Sequence, residues 1–179
     1  MLMEKEKTAK KLSTKAICFT AIMAALIFVF TFTFKIPLGT GYTHLGDAII
    51  FLSVPVLGAK KVSLASGIGA ALGDLIGGYT AWIAPTFFIK LLMVLICGLF
   101  AERLIKNNFF GYIAGAIAGG VFQIGAYTLA KIIMYDKAYA LTTLPELIIQ
   151  TVVGVAAATI FISVFNKTGI TKKLRKMAE

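Results

Sequence analysis

The chain is poor in the residues that build metal and catalytic centres. Its 179 residues include one His, two Cys and eight acidic side chains. With His44 alone and no clustered carboxylates, neither a metal site nor a Ser-His-Asp arrangement can be assembled. H-E-x-x-H does not occur, nor does the G-x-x-x-x-G-K-[ST] phosphate loop, so an enzyme is not expected and the chain has no ATPase machinery of the usual kind. No cofactor is expected. Cys18 and Cys97 fall in apolar segments and read as small core residues, with no disulfide implied.

Charge is also scarce. Charged residues make up 15% against 59% hydrophobic, with a mean hydropathy of +0.89. That is too little polar surface to coat a water-facing globule, and apolar windows long enough to cross a bilayer recur throughout. The composition reads as an all-α integral membrane protein. Five Lys occur in the first 15 residues, and the apolar run behind them lacks a small-residue cleavage site. It reads as a first transmembrane helix, not a cleavable leader.

Three parts are expected: a basic lead at 1–13, a membrane domain at 14–165 and a basic tail at 166–179 that forms a short interfacial helix. Within the domain, six transmembrane helices are expected at about 14–34, 45–58, 62–77, 81–104, 111–134 and 144–165. The second and third span only about 20–24 Å, short for a hydrocarbon core of about 30 Å. Pro37 and Gly39-Thr-Gly make 35–44 a loop. Ala59-Lys60-Lys61 ends the second segment, Lys106-Asn-Asn-Phe forms a tight turn, and 135–143 is a polar connection.

Net charge is +10, and its placement is an orientation signal. With six spans and both termini cytoplasmic, the inside holds Lys5, Lys7, Lys10, Lys11, Lys15, Lys60, Lys61, Arg103, Lys106, Lys167, Lys172, Lys173, Arg175 and Lys176, 14 of the 18 basic residues. Lys35, Lys131 and Lys137 lie outside and Lys90 within the membrane. This is the positive-inside pattern. No basic patch interleaved with aromatics argues for nucleic acid.

That topology gathers the chemically unusual residues at the outer face: Tyr42, His44 and Asp47 around the first loop, Asp74 at the end of the third helix, and Tyr79 and Trp82 beyond it. Lys90 lies about 12 Å deeper along the fourth helix, where a charge needs a partner or a wet cavity. Either Asp74 or Asp47 serves as an ion-pair partner, and lining a ligand cavity is compatible with both. Tyr42, Tyr79 and Trp82 also fit an aromatic belt at the membrane interface, and Asp47 fits a role at a helix N-terminus. Gln123 and Tyr127 share one face of the fifth helix, and Gln150 sits a turn into the sixth. These either tie helices together or point into a pocket. Small residues recur at spacings of four, Ala21 with Ala25 and Gly111 with Gly115 and Gly119, which permits close helix approach.

Taken together, these features resemble a family. Six short spans in under 200 residues, a basic N-terminus, Ala21-Ile-Met-Ala-Ala25, Gly41-Tyr-Thr-His-Leu-Gly-Asp47, Leu72-Gly-Asp-Leu-Ile-Gly-Gly-Tyr79 and Ala84-Pro-Thr-Phe-Phe-Ile-Lys90 resemble the substrate-binding S component of energy-coupling factor (ECF) vitamin transporters. The resemblance extends over about 14–165. Within that family it points to members assigned to pyridoxine-type or hydroxymethylpyrimidine substrates. It implies a vitamin pocket near the outer face of a prokaryotic plasma membrane, roofed by 35–44, with Trp82, Lys90, Gln123, Tyr127 and Gln150 as pocket candidates. It also implies a small-residue docking face at Ala21 and Ala25 for a transmembrane coupling subunit, driven by two cytosolic ATPases that use ATP and Mg. Two other classes remain open: a self-sufficient proton-coupled permease using Asp74 and Lys90, and a small membrane scaffold or an enzyme of unknown type.

Overall fold

In the computed structural model, residues 13–38, 41–105 and 108–178 are described, with the backbone alone at 35–38, 41 and 42. The basic lead with Lys5, Lys7, Lys10 and Lys11, the turn at Lys106 and the side chain of Tyr42 lie outside the described residues.

Helix α1 (Thr14–Phe32) opens on Ser13, whose hydroxyl accepts a hydrogen bond from the Ala16 amide at 3.2 Å, satisfying one of the donors that a helix start leaves free. The expected loop at 35–44 is instead an antiparallel hairpin, β1 (Lys35–Leu38) with β2 (Gly41–His44), in register Lys35 to His44 and Leu38 to Gly41. The fold is therefore not purely helical.

Helix α2 (Gly46–Leu57) is short and nearly all buried, with Pro55 inside it. It ends at Gly58, whose φ of 81° is open to glycine and strained for other residues. The chain reverses there directly into α3 (Ala59–Ile76). Lys60 and Lys61 are thus in the first turn of α3 and not in a linker, and α3 gains length at that end. A 3-10 turn (Thr80–Trp82) leads into α4 (Ile83–Gly98), which continues as a π-helical segment (Leu99–Leu104).

Helix α5 (Phe109–Met134) starts on Asn108, whose side chain accepts from the Gly111 amide at 2.7 Å. The connection at 135–143 contains a further helix, α6 (Lys137–Thr142), capped by Asp136. Helix α7 (Leu144–Lys167) carries Pro145 in its first turn, where proline costs no hydrogen bond. Helix α8 (Ile170–Ala178) buries Ala178 and exposes Lys172, Lys173, Arg175 and Lys176, as an interfacial amphipathic helix does.

Among the described residues, four helical stretches are long and apolar enough to cross a membrane: Thr14–Phe32, Thr80–Leu104, Phe109–Met134 and Leu144–Lys167. Helices α1, α3, α4, α5, α7 and α2 each pack on the next, and α2 closes the ring on α1. The core fills with Ile27, Ile50, Phe51, Val62, Met93 and Cys97. Cys97 is buried as expected, whereas Cys18 is exposed on α1, on the side of the helix that faces away from the bundle. The glycines of α5 explain the closeness of α4: a Cβ on Gly119 would stand 2.6 Å from the Met93 carbonyl oxygen, and one on Gly115 would clash with that of Cys97. Exposed apolar side chains such as Ile17, Ile22 and Leu26 cover the outside of α1, as lipid contact requires.

Candidate functional site

Asp47 is the junction of the site. It lies in the first turn of α2, yet Leu45 occupies the N-cap position and no side chain caps the helix. The carboxylate instead faces inward and is fully buried. Its Oδ1 accepts from the Lys90 ammonium of α4. Its Oδ2 accepts from Gln123 Nε2 of α5 at 2.9 Å and from Gln150 Nε2 of α7 at 3.0 Å. Lys90 also donates to Gln123 Oε1 at 2.5 Å, and Gln123 Nε2 donates a second bond to Thr151 Oγ1 at 3.0 Å. The two charges cancel, and both amide hydrogens and the oxygen of Gln123 are engaged. This is the condition under which a buried polar network is tolerated. It joins four helices. Of the two partners the sequence offered Lys90, the structure selects Asp47. The Lys90 ammonium also sits 5.5 Å from the centre of the Tyr127 ring, within cation–π range.

Above this network is a cavity of about 320 Å³. Of the residues anticipated from sequence, His44, Asp74, Tyr79, Trp82, Lys90, Tyr127 and Gln150 line it. Asp47 and Gln123 lie behind it as supports. Tyr42 is on β2, with its side chain outside the described residues.

Aromatic rings form one wall. The Trp82 ring lies 5.9 Å from that of Tyr127 and 6.1 Å from that of Tyr135, and Tyr135 lies 4.9 Å from Tyr139. Trp82 Nε1 donates to Tyr135 Oη at 3.1 Å, and Tyr127 Oη donates to Thr86 Oγ1 at 3.2 Å. Rings held in this way present preformed faces to a flat ligand. Polar groups line the same cavity: Lys131 Nζ donates to Thr143 Oγ1 at 2.8 Å and lies 5.9 Å from the Tyr139 ring, and Glu146 is also in the lining.

Sequence reasoning missed Thr31, Thr86, Lys131, Tyr139, Thr143 and Glu146 in this lining. Lys131 and Glu146 had a legible signal, since each is a charge on the outer stretch of a long apolar helix. Thr31 had none. Its hydroxyl is buried, lines the cavity and has no hydrogen-bond partner among the described residues. Among those residues no group of three or more His, Cys, Asp or Glu is placed to hold a metal ion.

Ala21 and Ala25 are exposed together on α1, about 15 Å and 9 Å along the helix axis from the cavity-lining Thr31.

Comparison with known proteins finds relatives of this chain. An uncharacterised protein of Pyrococcus woesei is 30% identical over 120 residues, covering 67% of this chain and 79% of the relative. The thiamine precursor transporter HmpT of Lactococcus lactis subsp. cremoris (strain MG1363) is 28% identical over 173 residues, covering 90% and 94%. The crystal structure of the S component for biotin from an ECF-type ABC transporter superposes with a TM-score of 0.66 at 20% identity, covering 90% of this chain and 91% of that one, which establishes a shared fold. Residues 11–167 match the family described as ECF-type riboflavin transporter, S component. The chain belongs to that S-component family and is a multi-pass membrane subunit of an ECF-type transporter, a transport protein and not an enzyme.

Proposed function

We propose that the chain is the high-affinity vitamin-capturing subunit of an ECF-type importer, taking a small hydroxylated pyrimidine or pyridine, of the hydroxymethylpyrimidine or vitamin B6 type, into the cavity above Lys90. The observation that carries this reading is that one cavity is lined both by aromatic rings, Trp82, Tyr127 and Tyr139, and by polar groups, Asp74, Lys131, Glu146 and Gln150. A single-ring heterocycle stacks on the first. Its amino, hydroxymethyl and ring-nitrogen groups hydrogen-bond to the second, where few competing waters remain. Similarity to a thiamine precursor transporter over nearly the whole chain supports the same substrate class.

In this reading α1, α2, α3, α4, α5 and α7 are the six membrane segments, both termini are cytoplasmic, and 14–165 is the binding domain between a basic lead and a basic tail. The β1–β2 hairpin roofs the cavity, bringing His44 to it and Tyr42 alongside. Ala21 and Ala25 form the face that docks on a transmembrane coupling subunit, and two cytosolic ATPases supply the energy using ATP and Mg. This chain holds no cofactor.

The test is equilibrium binding of hydroxymethylpyrimidine, pyridoxine, pyridoxamine and riboflavin to the purified protein. Binding of one of the first three is expected. Binding of riboflavin alone, or of none of the four, overturns the substrate assignment and leaves family membership standing.

A further inference from the structure

A second cavity, of about 360 Å³, lies at the opposite end of the bundle, between the ends of α2 and α7, the start of α5, and α8. It belongs to no part of the site above. Tyr112 lines it, is 4% exposed, and has a hydroxyl with no hydrogen-bond partner among the described residues. The Thr171 hydroxyl, from α8, is buried in the same condition. Buried polar atoms are nearly always paired, and two of the buried hydroxyls without a partner among the described residues line this one cavity. Lys172 and Arg175 stand at the rim. The acidic residue in the lining, Glu102, turns its Oε1 to the Ala59 amide at the start of α3, from which it accepts at 2.7 Å.

We infer that this cavity binds a phosphate group. Two hydroxyl donors line it and two cations stand at its rim, and a phosphate supplies several acceptor oxygens with negative charge, matching both kinds of group. The most direct source is the headgroup of an anionic phospholipid. The cavity lies at the end of the bundle that carries Lys60, Lys61 and α8, where a polybasic surface meets anionic lipid. Phe109 and Ile162 give it an apolar wall against which acyl chains can lie. A soluble phosphate shares the chemistry without needing that wall. Occupancy ties α8 to α5 through one bridging group, so lipid composition at this end tunes how α8 closes the bundle.

Native mass spectrometry of the detergent-purified full chain tests this, with three probes: phosphatidylglycerol, diacylglycerol of the same acyl chains, and inorganic phosphate. Adducts with phosphatidylglycerol and not with diacylglycerol are expected. Tyr112→Phe, which removes one oxygen, and Lys172→Gln/Arg175→Gln, which alters only exposed side chains, should each lower adduct occupancy about tenfold. Adduction of inorganic phosphate alone, with the same sensitivity to both variants, keeps the phosphate site and reassigns its source to solution. Equal adduction of diacylglycerol, no adduct with any probe, or adducts indifferent to both variants would leave the cavity to water and overturn the inference.

Discussion

Lys90 of α4 and Asp47 of α2 form an ion pair with both side chains withdrawn from solvent, and Gln123 bridges the two. A pair of this kind contributes little net stability by itself, because desolvation offsets its attraction. Losing one partner is different, since the other charge is left uncompensated in the bundle. Asp47→Asn or Lys90→Met alone should therefore destabilise the protein by about 3–5 kcal/mol, read by thermal or denaturant unfolding in detergent. The double variant Asp47→Asn/Lys90→Met should lose markedly less than the sum. Additive losses would show that the two residues act independently.

The two glutamines divide between support and recognition. Gln123 is buried with its hydrogen-bonding capacity taken up by Lys90, Asp47 and Thr151, while Gln150 gives one bond to Asp47 and lines the cavity. Gln123→Leu should cost about 1–3 kcal/mol of stability by orphaning its partners. Gln150→Leu, which removes a single bond to Asp47, should cost less stability than Gln123→Leu and weaken ligand binding about tenfold. Equal effects of both on both readouts would contradict this division.

Trp82 is held by the Tyr135 hydroxyl and faces Tyr127. Trp82→Ala should weaken binding of an aromatic ligand roughly tenfold, and Trp82→Phe by a smaller factor because it keeps a ring face. An aliphatic solute bound by the same cavity would not separate the two variants. Isothermal titration with wild type and both variants measures the order.

Ala21 and Ala25 are exposed on α1 and do not line the cavity. Close helix–helix approach needs small side chains, so Ala21→Trp or Ala25→Trp should abolish uptake in cells or vesicles containing the coupling module while leaving ligand binding to the isolated chain unchanged. Unimpaired uptake would place the docking face elsewhere.

How far these features are legible in the sequence depends on whether they are set by composition or by packing. Long apolar runs announce α1, α4, α5 and α7, because a membrane-crossing helix needs length and few charges. The reversal at Gly58 was not legible. Lys60 and Lys61 resemble a hydrophilic linker, and only the positive φ of the glycine lets α3 start at once and absorb them. The hairpin was hidden as well, since Pro37 and the glycines of 39–41 describe a turn without saying that strands flank it.

At the site, the isolation of Lys90 in an apolar segment demanded a partner, but two aspartates in identical Leu-Gly-Asp contexts satisfied that demand equally. Packing of α2 against α7, with the Asp47 Cβ close to Gly154, decides between them. Thr31 and Thr86 enter the cavity through helix rotation alone, which sequence spacing does not reveal.

The central claim is that the cavity above Lys90 holds a single-ring, hydroxylated nitrogen heterocycle. Mass spectrometry of the small molecule retained through purification, from wild type and from Trp82→Ala prepared side by side, tests it most directly. A substituted pyrimidine or pyridine retained by wild type and lost from Trp82→Ala is the predicted result. A flavin or a non-aromatic metabolite in the wild type, or equal retention by Trp82→Ala, would contradict it.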